Sequence, residues 1–113
     1  MDGEYSRDGA MKTIQAMADR IAERFKPERV ILFGSYANGS PGPDSDADFL
    51  VVLDSPGSKR DLAVKMGLEV TSFGFPKDIF VLTPDELKRY GGIPNSLASI
   101  ALEEGVELYR REA

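Results

Sequence analysis

The sequence predicts a small α/β domain (α+β in the arrangement of its segments), in which helices cover a small mixed sheet. Near the N terminus, apolar residues recur at three- and four-residue steps, which is typical of an amphipathic helix. Further along, short apolar runs bounded by Gly, Pro or Asp alternate with helical segments, which is typical of strands under a helical layer. The length of 113 residues allows one such domain.

The first predicted helix begins at Met11 and is ended by Pro27. Residues 1–9 are polar, so we expect a flexible lead-in there and a single domain over residues 10–113. The first strand is 29–33, closed by Gly34. Residues 35–46 form a loop rich in Gly, Pro, Ser and Asp, with a short helix at 36–38.

The second strand, 47–53, is apolar on both alternating faces, which predicts a central position in a covered sheet. A helix is predicted over 59–72, weakened by Gly67, and a third strand over 78–83. Thr83, Pro84 and Glu86 have the spacing of an N-cap, an N1 proline and a capping box.

After Pro94, a helix is predicted over 96–104, and residues 106–109 are either a strand or a helical tail. The apolar residues between 97 and 109 are assigned to the core, with a partner-facing stripe as the alternative. These residues are Leu97, Ile100, Ala101, Leu102, Val106, Leu108 and Tyr109.

Composition restricts the chemistry of this domain. The chain has no cysteine and no histidine, which excludes a disulfide, a thiolate nucleophile, a Cys/His zinc site and an imidazole base. Any metal must be held by oxygen, as Mg²⁺ is. The net charge of −5 argues against direct nucleic-acid binding. No apolar run is long enough for a membrane span and no secretion signal is visible, so we expect a cytoplasmic protein.

Acidic residues precede two of the predicted strands. Asp46 and Asp48 share one face of the second strand, roughly 7 Å apart at Cα. Asp48 leads into a buried run, where an ionised carboxylate is costly without compensation, and no lysine or arginine lies between residues 37 and 58. Asp78 opens the third strand in the same way. If the two strands are neighbours, the three carboxylates form an oxygen-ligand site suited to one or two Mg²⁺ ions.

Gly34 and Ser35 supply a complementary feature at the end of the first strand. Backbone N–H groups and a hydroxyl at the start of a short helix are suited to binding phosphate. A glycine there also lets the backbone approach a ligand closely, because it has no Cβ. Each feature alone is more often ordinary turn chemistry. Their order, each at a strand end, favours a metal and phosphate site.

Gly34 and Ser35, ten further residues, and then Asp46-Ala47-Asp48 match the GSx10DxD signature of the DNA polymerase beta nucleotidyltransferase superfamily. The segments ILFGSYANG, SDADFLVVL and KDIFVLTPDEL resemble the family's forms over about residues 10–110. In its small size the chain resembles the minimal nucleotidyltransferase (MNT) group. Members of that group are commonly antitoxins paired with HEPN ribonuclease toxins. Asn38 departs from the pattern, since many members carry arginine there.

The resemblance implies a polymerase beta-like nucleotidyltransferase fold and transfer of AMP from ATP with Mg²⁺. It implies that Asp46, Asp48 and Asp78 are the catalytic and metal-binding residues, and that Gly34 and Ser35 bind the nucleotide. The resemblance also implies that the acceptor is a hydroxyl, most simply that of a tyrosine, on a partner HEPN toxin. The pair forms a toxin–antitoxin system, with hetero- or homo-oligomers possible.

Two alternatives remain open: an antitoxin that only binds its toxin, and a transferase for a small molecule of the aminoglycoside type. Lys59, Arg60 and Lys65 are candidate contacts for the triphosphate. Lys77 is not, because it points to the opposite face from Asp78 if the strand is regular.

Overall fold

The computed structural model describes residues 7–54 and 57–112, and within them it has five α-helices and four strands. The helices are α1 (Arg7–Phe25), α2 (Ser35–Asn38), α3 (Lys59–Glu69), α4 (Pro84–Tyr90) and α5 (Leu97–Glu104). The strands are β1 (Arg29–Phe33), β2 (Ala47–Val52), β3 (Lys77–Leu82) and β4 (Val106–Arg110). None of these helices is long and apolar enough to cross a bilayer.

The four strands form one mixed sheet in the order β3-β2-β1-β4. β1 pairs antiparallel with both β2 and β4, whereas β2 and β3 run parallel. The predicted central position of β2 is confirmed, since it lies between β1 and β3 and is buried along almost its whole length. The C-terminal segment is a strand and not a helical tail.

Helices cover both faces of the sheet, which explains why β2 is apolar on both of its sides. On the first face, α1 and α3 pack on one core cluster, whose largest members include Ile14, Met17, Leu32, Phe49 and Met66. On the second face, α4 and α5 pack on Ile31, Leu50 and Val52. Asp48 and Asp78 belong to this second face, because side chains alternate along a strand.

Several boundaries differ from the prediction. α1 begins at Arg7 rather than Met11, and Asp8 in its first turn suits the positive end of the helix dipole. Residues 7–9 of the predicted lead-in are therefore helical, while residues 1–6 lie outside the described residues. α3 ends at Glu69 and not at 72, followed by a 3₁₀ turn. There the Thr71 hydroxyl donates to the Gly67 carbonyl at 2.8 Å and competes for a helical acceptor.

The predicted start of α4 is confirmed. Thr83 accepts from the Glu86 N–H at 3.1 Å, and the Glu86 carboxylate accepts from the Thr83 N–H at 2.9 Å. This capping box, with Pro84 in the first turn, stops β3 at Leu82. Ser96 caps α5 by accepting from the Ser99 N–H at 3.1 Å.

Candidate functional site

The carboxylates of interest lie at one end of the sheet, where β2 and β3 both begin. In the parallel register Asp48 stands directly opposite Asp78, and Phe33 at the end of β1 stands opposite Asp48 on the other side. Paired residues of neighbouring strands are about 4.8 Å apart at Cα. Asp46 precedes β2 by one residue. The expectation that the second and third strands are neighbours is confirmed, and it brings Asp48 and Asp78 together.

Asp48 is the acid whose charge is least favoured at this end. Its side chain is partly buried, and burial raises the pKa of that carboxyl, with further increases from the negative charges of Asp78 and then Asp46. In the portion of the chain that is described, no basic side chain is among the causes of that shift. Asp46 and Asp78 thus both lie within electrostatic range of Asp48, and a bound cation would offset the charge of this carboxylate.

The three acids do not close around a single point. Over residues 7–54 and 57–112, no three acidic side chains lie close enough together to ligate one ion. Asp78 is exposed on the edge strand β3, whereas Asp48 is partly covered. The sequence therefore predicted which acids lie at this end of the sheet. That the three acids bind one metal ion together stays a prediction.

Gly34 packs directly against the side chain of Asp48. Its φ of +82° lies in the region that favours glycine. A Cβ at this position would overlap Oδ2 of Asp48 and lie 3.3 Å from Cγ. The sequence suggested that the missing side chain admits a ligand, and the structure adds a second reason, which is room for the carboxylate of Asp48. The two halves of the GSx10DxD motif are thus in contact.

Ser35 is the first residue of the four-residue helix α2. The Gly34 carbonyl accepts from the N–H groups of Ala37 and Asn38, both at 3.0 Å, which fixes the turn. The helix ends at Gly39, which has a φ of +86° and returns its N–H to the Ser35 carbonyl. Ser35 therefore follows the last residue of β1, at the same end of the sheet as the first residues of β2.

The loop between α2 and β2 is closed by its own polar groups. The Asn38 side-chain oxygen accepts from the N–H of Ser40 at 3.1 Å and from its hydroxyl at 2.5 Å. Where an arginine would extend outward, Asn38 thus folds back on the loop. Further on, the Gly42 N–H donates to the Ser45 hydroxyl at 2.8 Å and the Ser45 N–H to the Gly42 carbonyl at 3.1 Å.

The candidate basic residues do not gather at the carboxylates. Lys59 follows the far end of β2 and is paired with Glu86, which follows the far end of β3. Arg60 is its neighbour at that far end, and Lys65 is exposed on α3, against the first face. Lys77 lies beside Gly67 of α3, so its predicted orientation away from Asp78 is confirmed. A cavity of about 500 Å³ also lies at the far end, between Arg29, Leu87 and Leu102.

Two aromatic rings beside the carboxylates were missed in the sequence. Phe33 is buried and Phe80 is 38% exposed, with ring centroids 5.8 Å apart and planes tilted by 50°. Phe80 follows Asp78 by two residues and so shares its face of β3. This two-residue spacing was the available signal. It was overlooked because Ile79 and Phe80 both read as core residues of a strand.

Known proteins resemble this chain in sequence or in fold. The family model described as a nucleotidyltransferase domain matches residues 14–108. A search of curated proteins gave no match.

Solved structures share the fold at low sequence identity. A protein from Sulfolobus solfataricus assigned to the nucleotidyltransferases superposes with a TM-score of 0.60 at 23% identity, over 98% of this chain and 94% of that one. A mutant of the toxin–antitoxin pair MntA–HpeT gives 0.53 at 18%, over 95% and 75%. A toxin–antitoxin structure with AMP-PNP gives 0.50 at 20%, also over 95% and 75%.

Proposed function

This chain belongs to the nucleotidyltransferase domain family, and we propose that it transfers AMP from ATP, with Mg²⁺, to a hydroxyl of a partner HEPN-type ribonuclease toxin. It acts in this way as the antitoxin of the pair. The observation that carries the proposal is the parallel pairing of Asp48 with Asp78, beside Asp46 and against Gly34. Toxin–antitoxin proteins among the structures of the same fold support the context.

The residues fit a hard divalent cation by their chemistry. All three candidates are oxygen donors, the chain has neither cysteine nor histidine, and burial together with like charges raises the pKa of Asp48. Asp46 and Asp48 would hold the cation on β2, with Asp78 contributing from β3. When bound there, the cation offsets the carboxylate charge and stabilises the attacking and leaving oxygens of the transfer.

The protein groups divide the remaining work by position. Gly34 and Ser35, at the end of β1, bind the β- and γ-phosphates. They orient the triphosphate across the end of the sheet where β2 and β3 begin. Asp78, exposed on the edge strand, is open to the acceptor and takes the proton of its hydroxyl. The acceptor oxygen bonds to the α-phosphorus, the bond from that phosphorus to the bridging oxygen breaks, and pyrophosphate leaves with the electron pair.

Asp78 also explains how a chain without histidine performs proton transfer. A carboxylate is a weak base at neutral pH, and a hydroxyl with a pKa of about 10, as in tyrosine, loses its proton more readily than an aliphatic hydroxyl. A tyrosine acceptor therefore suits this site better than serine or threonine. The partner chain supplies it.

One experiment tests the proposal directly. The chain is incubated with the toxin encoded beside it, ATP and Mg²⁺, and intact mass is measured for addition of AMP to the toxin. We expect AMP addition with the wild type and none with the Asp46→Ala, Asp48→Ala double variant. Asp54→Ala is the matched control, since Asp54 is an exposed acid just beyond the other end of β2.

A second candidate is an antitoxin that neutralises its toxin by binding alone. It is favoured by the absence, across the described ranges, of three acids arranged to ligate one ion. Neutralisation of ribonuclease activity by the double variant, equal to that by the wild type, would establish this second function and overturn the catalytic one. AMP addition to an aminoglycoside but not to the toxin would establish the small-molecule alternative.

A further inference from the structure

Phe80 is a large apolar ring left partly in solvent beside the charged end of the sheet. It is 38% exposed, on the edge strand β3, and it shares the face of Asp78 two residues away. That spacing corresponds to about 6.6 Å along a strand. Helices α4 and α5 cover Leu50 and Val52 further along the same face, yet Phe80 keeps over a third of its surface accessible.

Phe33 holds the Phe80 ring in place from below. Phe33 is only 8% exposed and belongs to the core cluster of α4 and α5, so it is fixed by packing. Its ring lies 5.8 Å from that of Phe80 in a tilted arrangement. Such a geometry is favourable between aromatic rings and leaves the other side of Phe80 available for a further ring.

The position of Phe80 places it on the acceptor side of the site, an assignment that rests on the proposed function. The phosphate-binding candidates Gly34 and Ser35 are at the end of β1, and β2 separates them from β3. Phe80 and Asp78 lie together on β3, two strands away from β1 in the sheet. A ring packed against Phe80 would present its substituent at Asp78, one two-residue step along the strand.

We infer that Phe80 is a positioning residue for the acceptor, forming the apolar surface against which the aromatic ring bearing the acceptor hydroxyl packs. Phe33 supports that surface, and the adjacent Asp78 receives the hydroxyl proton. Phe80 thereby selects a phenolic acceptor over an aliphatic alcohol, because a ring gains aromatic packing that a serine or threonine side chain lacks.

Steady-state kinetics of AMP transfer to the toxin separate this role from a purely structural one. We expect Phe80→Ala to raise the KM for the toxin about tenfold, from the loss of ring packing and apolar contact. The KM for ATP should stay within about twofold, because Phe80 lies on β3 whereas the phosphate-binding candidates Gly34 and Ser35 follow β1. Phe80→Leu should be intermediate and Phe80→Tyr should restore the acceptor KM. Val106→Ala is the matched control, since Val106 is 37% exposed on the opposite edge strand.

A binding measurement keeps the inference testable without turnover. The chain has four tyrosines but no tryptophan, so Phe80→Trp introduces a single tryptophan, whose emission is excited selectively at wavelengths where tyrosine does not absorb. We expect its emission to change on titration with N-acetyl-tyrosinamide and to change much less with N-acetyl-leucinamide or with AMP-PNP and Mg²⁺. This response would stand even if the wild type transferred no AMP, and would then separate failure of the proposed function from failure of the inference.

Three results would overturn the inference. A rise in the KM for ATP with an unchanged acceptor KM would make Phe80 a platform for the nucleobase. Unchanged kinetics in Phe80→Ala, with a lowered Tm alone, would make it a structural residue. A Phe80→Trp emission that responds equally to the tyrosine and leucine probes would remove the preference for aromatic rings.

Discussion

Charged side chains are arranged differently at the two ends of the sheet: the near end, where β2 and β3 begin, and the far end, where they finish. At the far end, beyond the start of β1 and the finish of β2 and β3, acids are paired with bases: Lys59 with Glu86, Glu107 with Arg29 and Arg110, and Glu28 with Arg111. At the near end, burial and the negative charges of Asp78 and Asp46 raise the pKa of Asp48. The acids of the far end thus have basic partners, whereas among the described residues no basic side chain is a cause of the shifted pKa of Asp48.

The pKa shifts follow this division. At the far end, hydrogen bonds from Lys59 and Thr83 lower the pKa of Glu86, and those from Arg110 and Arg29 lower the pKa of Glu107. At the near end, burial and like charges raise the pKa of Asp48. A carboxylate whose ionisation is disfavoured in the folded protein is a candidate for a functional site, because stability alone would not select it.

The largest expected effect comes from removing the charge at the centre of the near end. Asp48→Asn should reduce AMP transfer on the order of 10³-fold, since in the proposed function this carboxylate holds the cation that offsets charge in the transition state. The same change should raise the Tm of the metal-free protein, because the amide carries no charge to desolvate or repel Asp78. Transfer assays and thermal unfolding in EDTA measure the two effects. A lower Tm would show that the charge of Asp48 does not destabilise the metal-free protein.

The next effect tests the contact between the two halves of the motif. Gly34→Ala should destabilise the protein by about 1–3 kcal/mol, because alanine is strained at this positive φ and its Cβ meets Asp48. Gly39→Ala is the control, because Gly39 has a similar φ of +86° but a Cβ there has nothing within 4 Å. Denaturant unfolding of both variants gives the comparison, and equal stabilities would show that Asp48 moves aside freely.

A divalent cation should stabilise the near end and leave the far end unaffected. At a Mg²⁺ concentration ten times its Kd, linkage gives about 1.4 kcal/mol. We expect this gain for the wild type and Glu86→Gln, and its loss in Asp48→Asn. Thermal shifts with Mg²⁺ and after EDTA measure it. An undiminished shift in Asp48→Asn would place the ion elsewhere.

pH separates the two ends by the sign of their contributions. The folded-state pKa of Glu86 is lowered, so its stabilisation is present above the unfolded pKa of about 4.3 and is lost as pH falls through the folded value. The folded-state pKa of Asp48 is raised, so its penalty appears as pH rises above about 3.9. In EDTA, the stability gain of Asp48→Asn should therefore grow with pH, and the loss in Glu86→Gln should shrink on acidification.

The smallest effect is expected from a single ion pair at the far end. Lys59→Met should lower stability by about 0.5 kcal/mol, because the pair is partly exposed and screened by solvent. AMP transfer should be unchanged. If transfer fell sharply, Lys59 would act on the nucleotide after all, as the sequence had suggested.

Local signals predicted most of the elements. The three- and four-residue apolar spacing placed α1, and the run 29–33 gave β1 the bounds that it has in the structure. Thr83 and Glu86 specify the start of α4 by a bond pattern confined to four residues. The end of α3 was misjudged because the side chain of Thr71 competes for a backbone acceptor, which periodicity does not report.

The amino-acid sequence by itself determined the inventory of the candidate site: oxygen donors only, Asp46 and Asp48 two residues apart, and glycine and serine after the strand before them. Those features depend on residue type and on the two-residue period of a strand. Tertiary structure alone decided that Asp78 pairs with Asp48, that Gly34 leaves room for that carboxylate, and that Phe33 supports Phe80. Strand register is set by contacts between residues distant in the chain, so no local pattern contains it.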